Sequence, residues 1–145
     1  MVIEIRDETI LYGIIVRYHY DREGVSFFTP DDFSQQLAFM KHPEGRIIKP
    51  HFHNRHPREV NYTQEVLFIR KGRLRVDFYN GEQEYFKSYI LETGDVLLLT
   101  GGGHGFQVLE PLEMIEVKQG PYAGDRDKVV FRGLPPDVLR IEEQS

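Results

Sequence analysis

Four side chains in this sequence have the types and spacing of a metal site. His51 and His53 are separated by a single residue, Glu65 opens a later apolar run, and His104 directly follows three glycines. Three neutral imidazoles and one carboxylate suit Zn, Fe, Mn, Ni, Co or Cu, without distinguishing among them. In a six-coordinate ion they leave two positions open for water or substrate. The four residues therefore predict one divalent metal ion at a mononuclear site.

Each of these residues also has an ordinary explanation. A single histidine on a strand is more often a hydrogen-bonded or exposed side chain than a ligand, and only the combination favours metal binding. Glu59 is an alternative acid because it lies nearer to His53 in the chain. It belongs to no strand pattern, so Glu65 is the preferred ligand.

β-strands are the elements that must position these ligands. Residues i and i+2 of a strand share a face, so His51 and His53, at the end of a strand predicted over residues 45–53, would lie side by side. Glu65 would share a face with core-facing Leu67. A carboxylate at such a position is costly to bury unless a cation compensates its charge.

The whole chain alternates apolar and polar residues in short runs separated by Gly, Pro, Asn and Asp, which predicts about nine or ten β-strands. We expect an all-β fold with little helix, since only residues 31–37 and 135–143 have any helical character. Turn residues predict hairpin connections at 42–45, 71–72, 80–83, 92–95 and 100–103.

Length and composition narrow the class of protein. The 145 residues, 40% hydrophobic and 28% charged, predict one soluble globular domain over residues 1–145. A net charge of -5 without a basic stripe argues against nucleic acid as a partner. The first residues match neither a signal peptide nor a membrane span, so we expect no membrane partner and a cytoplasmic protein. There is no cysteine, so any metal must be bound by histidine and carboxylate.

The spacing of these residues resembles the cupin family. The first cupin motif, G-x5-H-x-H-x3,4-E-x6-G, is reproduced by Gly45, His51, His53, Glu65 and Gly72, with eleven residues between His53 and Glu65 instead of three or four. The second motif is looser. It begins at Gly94, has Thr100 in place of proline, reaches His104 one residue early and lacks the terminal asparagine.

The resemblance implies a double-stranded β-helix, the jelly-roll barrel of cupins. Its motif core would span about residues 36–120, with N-terminal strands in 2–28 and a C-terminal tail of 121–145 packed on it. The resemblance also implies a metal-dependent enzyme, of the dioxygenase or isomerase type, acting on a small oxygenated molecule such as a sugar derivative or a carboxylic acid. The alternatives are a non-catalytic ligand-binding or sensory cupin, and a metal-free jelly-roll sugar isomerase or epimerase with a histidine base. No catalytic residue is assigned.

Three further features remain open from the sequence. Arg55, His56 and Arg58 could hold an anionic substrate, although a solvated loop is the simpler interpretation. In the run 112–119, Glu116 or Lys118 could serve as an acid or base if the face they share is inward, whereas Ile115 and Val117 could equally be the inward set. The apolar run 10–20 predicts a homodimer through a covered N-terminal strand, and cover by the same chain would look identical.

Overall fold

The computed structural model describes residues 1–134 and 138–142. These residues are nearly all β, as predicted, and the helical residues among them include one short 3-10 turn, Gly124–Arg126. No helix in the described residues is long and apolar enough to cross a membrane. The strands are β1 Val2–Asp7, β2 Ile10–Val16, β3 Gly24–Phe27, β4 Ala38–Lys41, β5 Glu65–Tyr79, β6 Tyr85–Glu92, β7 Val96–Leu99, β8 Gly103–Lys118 and β9 Ile141–Glu142.

The chain divides into two compact units. Residues 1–20 and 63–145 form the sheet unit, and residues 21–62 form the hairpin unit. The sheet unit contains one seven-stranded sheet, in which hydrogen-bonded neighbours follow the path β1-β2-β7-β5-β6-β9. The seventh strand, β8, also pairs with β5. This sheet curls into a half-barrel.

β5 is the central strand of the sheet unit. Along one edge it pairs antiparallel with β8, from Glu65 opposite Lys118 to Tyr79 opposite Gly103. Along the other edge it pairs first with β7 and then with β6. β6 and β7 therefore run in the same direction, so the predicted hairpin at 92–95 is wrong. The turn at 92–95 connects two strands on the same edge of β5, and the chain does not reverse its direction there.

The predicted hairpin at 71–72 is also wrong, because β5 continues through it as a bent strand. The register with β8 shifts three times between Ile69 and Leu74, which marks β-bulges that increase bending and twist. Gly72 has a φ of 101° and packs its Cα against the carbonyl of Pro111. Bulges and a left-handed glycine bend the strand where the sequence suggested a reversal.

The core of the sheet unit lies on one face of β5. Alternate residues on this inner face have at most 1% of their surface exposed, and they are Leu67, Ile69, Leu74, Val76 and Phe78. β2 adds Ile15 to this core, and its neighbour Ile14, on the opposite face of the strand, is also fully buried within the chain. The central part of the apolar N-terminal run is thus covered by the chain itself, which weakens the observation that favoured a homodimer; the dimer stays a prediction.

A buried ion pair fixes the turn between β6 and β7. One guanidinium nitrogen of Arg17 donates to Asp95 at 2.8 Å, and the side chain of Asp95 is 1% exposed. Asp95 also accepts hydrogen bonds from the backbone N–H groups of Tyr18 and Glu92. The carboxylate thereby ties this turn to the end of β2.

In the hairpin unit, β3 and β4 form a two-stranded antiparallel sheet. The strand predicted over 45–53 is wrong: residues 46–61 have no regular secondary structure, and their side chains are exposed. Pro50 lacks the N–H that a sheet ladder needs, so the sequence weakens a strand at this point. The helix considered for 31–37 is a series of turns, and the one considered for 135–143 falls partly outside the described residues and otherwise includes β9.

Candidate functional site

Glu65 and His104 come together on the inner face of the sheet unit. Glu65 is the first residue of β5, and His104 is the second residue of β8. His104 Nε2 lies 3.4 Å from Glu65 Oε2, and their side chains are 29% and 15% exposed. The structure thus joins two of the four predicted metal ligands as a carboxylate–imidazole pair that is partly shielded from solvent.

The surroundings of Glu65 favour its ionised form. A hydrogen bond with His104 is the largest influence and lowers the pKa of Glu65, against the opposing effect of burial. The charge of His104, a hydrogen bond with Glu116 and the charge of Lys118 act in the same downward direction. Glu65 is therefore available as an anionic ligand or as a partner that orients the imidazole.

The register of β8 shows which of its residues lie on the same face as Glu65, which the sequence left open. Glu116 lies opposite buried Leu67, and Lys118 lies opposite Glu65, so both share the inner face. Ile115 and Val117 occupy the other face and are 51% and 57% exposed. Glu116 and Lys118 are exposed as well, so it is the register that assigns the polar pair to the face of Glu65.

Two residues that the sequence did not single out complete this polar group. Lys118 Nζ lies 3.9 Å from Asp127 Oδ2, and the hydroxyl of Thr63 donates a short hydrogen bond to Asp127. Thr63 lies two residues before the start of β5, and Asp127 directly follows the 3-10 turn. Because both lie in irregular segments, no periodic pattern could have indicated them.

His51 and His53 form a second pair within the hairpin unit. Their ring centroids are 5.4 Å apart at 77°, and both side chains are exposed. His51 Nδ1 lies 2.9 Å from the carbonyl oxygen of Lys49. The i, i+2 spacing places the rings side by side as expected, although the segment is not a strand.

The structure thus brings the predicted ligands together as two pairs, one in each unit. Within residues 1–134 and 138–142, no group of three or more histidine or acidic side chains is arranged to hold a metal ion. Glu59, the alternative acid, is exposed and lies in no strand.

Comparison of the chain with family models, with curated proteins and with solved structures returns no match.

The chemistry of the Glu65–His104 pair admits two uses. A carboxylate and an imidazole are both ligands for borderline divalent metals, and the donor types fit such an ion. The same pair could instead serve acid–base catalysis, with the carboxylate orienting the imidazole.

Proposed function

We propose that the protein is a metal-binding cupin with one divalent ion bound by His51, His53, Glu65 and His104. The approach of His104 to Glu65 within 3.4 Å is the observation that carries this proposal. These two residues are distant in sequence and come from different strands. They meet beside buried Leu67 and Phe78, in a partly shielded position where a carboxylate is costly to bury without a compensating charge.

The charges around the pair support a cation. With His104 neutral, as a metal ligand must be, Glu65, Glu116 and Asp127 contribute three carboxyl groups near Lys118, whose ammonium group offsets one of them. A surplus of negative charge on a partly buried surface attracts positive ions more strongly than it would in open water. A divalent ion would balance it.

We propose a double-stranded β-helix as the finer description of the fold, with the curled sheet as its supporting feature. His51 and His53 complete the ligand set because the motif spacing links them to Glu65 and Gly72. The substrate class is a small oxygenated molecule, either a sugar derivative or a carboxylic acid.

In this function a bound metal would act as a Lewis acid on the substrate oxygens. Glu65 stays ionised through its contact with His104 and would therefore supply a negatively charged ligand to the ion. Leu67 and Phe78 form an apolar floor that limits water around the reacting atoms. Lys118, which lies opposite Glu65 in the ladder, would contact a substrate oxygen.

Elemental analysis of protein purified without an affinity tag tests the proposal. We expect about one metal ion per chain in the wild type and little metal in His51→Ala and His104→Ala, both folded by circular dichroism. His42→Ala is the matched control, since His42 is a histidine in neither pair. Full metal content in either ligand variant would contradict the assignment, as would a wild-type protein without metal after supplementation with each candidate ion.

A metal-free isomerase is the second candidate, and the contact between Glu65 and His104 is also the observation that favours it. A carboxylate that accepts a hydrogen bond from one imidazole N–H leaves the other ring nitrogen free to act as a base. Exchange of substrate protons with solvent deuterium, retained after metal removal and lost in His104→Gln, would support this candidate over the metal centre. Metal uptake without turnover would instead favour a binding or sensory protein.

A further inference from the structure

Residues 46–58, which we call the basic segment, contain no acidic side chain. They include four Lys and Arg residues, whereas the rest of the chain has fourteen basic residues against twenty-three acidic ones. A segment of charge +4 is therefore attached to a remainder of charge -9. The cationic residues of the segment are Arg46, Lys49, Arg55 and Arg58.

The cations of the basic segment are exposed and have no acidic partner within residues 21–62. In that unit, the ion pairs join Lys41, outside the segment, to Asp21 and Glu23. The sheet unit is different, because its strand arginines are paired with carboxylates. Those arginines are Arg6, Arg70, Arg73 and Arg75.

We propose that the basic segment binds a small molecule bearing a phosphate or diphosphate group, with Arg55 and Arg58 as the anion-contacting residues. The two lie three positions apart in irregular backbone, so their Cα atoms are separated by at most about 10 Å. Long side chains at that separation can reach the two phosphates of one diphosphate. The planar guanidinium groups can each donate two parallel hydrogen bonds to phosphate oxygens.

The negative charge outside the basic segment favours binding of a small anion over binding of a polyanion. A nucleic-acid duplex or an acidic membrane extends beyond thirteen residues and would also meet Glu44 and Glu59, which flank the basic segment and repel it. A small phosphate compound contacts the basic segment alone. Arg55 and Arg58 are not among the proposed metal ligands, but His51 and His53 lie within the same basic segment, so the anion site is tested on metal-free protein.

Calorimetric titration of the full chain with inorganic pyrophosphate tests the inference. The protein is first treated with EDTA and dialysed, so that bound metal cannot contribute, and the titration is done at low ionic strength. We expect saturable binding of one pyrophosphate per chain. Arg55→Ala/Arg58→Ala should weaken it at least about tenfold, and Arg55→Lys/Arg58→Lys, which keeps the charge and loses the planar fork, should weaken it less.

Arg6→Ala/Arg70→Ala is the matched control, because it removes the same charge from exposed arginines that have carboxylate partners. Wild-type affinity in this control supports a local site. The proposal is overturned if the wild type does not bind pyrophosphate, or if the control loses as much affinity as the Arg55/Arg58 variant. Tighter, equally arginine-dependent binding of duplex DNA or of phosphatidylserine vesicles would also overturn it. Because the titrated protein carries no metal, each of these outcomes can be interpreted even if the metal proposal fails.

Discussion

Glu65 and His104 belong to opposite ends of one β-ladder, and yet their side chains meet. Glu65 begins β5, whereas the residue opposite His104 is Phe78, the last but one of the same strand. The ends of a straight ladder of this length would be far apart. The register shifts between Ile69 and Leu74 bend the ladder back on itself, so the contact is a consequence of the bulges.

Gly72→Ala should destabilise the sheet unit, because an added Cβ would lie 2.2 Å from the carbonyl oxygen of Pro111 and the φ of 101° disfavours any side chain. We expect a loss of about 2 kcal/mol or more in the free energy of unfolding, measured with urea. Gly81→Ala is the control, since no atom lies within 4 Å of its Cβ position. Equal midpoints for the two variants would show that the bend does not require Gly72.

Asp95→Ala should be among the more damaging substitutions outside the apolar core. It leaves the buried guanidinium of Arg17 without its carboxylate and removes the acceptor of two backbone N–H groups. The expected loss is about 3 to 5 kcal/mol in the free energy of unfolding. Glu4→Ala removes the partner of exposed Arg6 and should cost about 1 kcal/mol or less. A small effect at Asp95 would mean that the turn between β6 and β7 is held by other contacts.

Tyr89→Phe should make the protein less sensitive to alkali. Burial raises the pKa of Tyr89 above its ordinary value of 10.0, and the charge of Glu142 adds to the increase. As the pH rises through the pKa of the unfolded tyrosine, the unfolded chain releases a proton that the folded chain retains, so wild-type stability falls from about pH 10 upward. Urea unfolding at pH 9 to 11 should show a shallower fall in the variant.

Tyr122→Phe serves as the comparison for that experiment, since Tyr122 is 88% exposed and its loss should leave the alkaline slope unchanged. If Tyr89→Phe and the wild type lose stability equally with pH, the ionisation of Tyr89 is not linked to unfolding.

The sequence predicts strands well where alternation is regular and turn residues are local. β6 and β7 follow their runs closely, and the turn at 80–83 is a real hairpin in which Asn80 accepts hydrogen bonds from the backbone of Glu82 and Glu84. The prediction of strands from the sequence fails at Gly72 and Pro111, because glycine and proline end strands in most contexts. Here both lie inside long strands, because the bulged β5–β8 pairing tolerates a left-handed glycine and a missing N–H.

The candidate site divides in the same way. Periodicity indicated that Glu65 faces the core, and the register agrees, since Leu67 and Ile69 on that face are buried. The neighbourhood of Glu116, Lys118 and Asp127 could not be predicted, because the inward face of β8 depends on its register with β5. The strand predicted for His51 and His53 was wrong, since alternation does not specify a partner strand.

Titration with Co²⁺, followed by its visible absorption, tests most directly whether Glu65 is a metal ligand. We expect the wild type to bind one ion and Glu65→Gln to bind it at least about tenfold more weakly. Glu59→Gln, at the alternative acid, should keep the wild-type affinity. Unchanged affinity and spectrum in Glu65→Gln, or a loss confined to Glu59→Gln, would contradict the proposed centre.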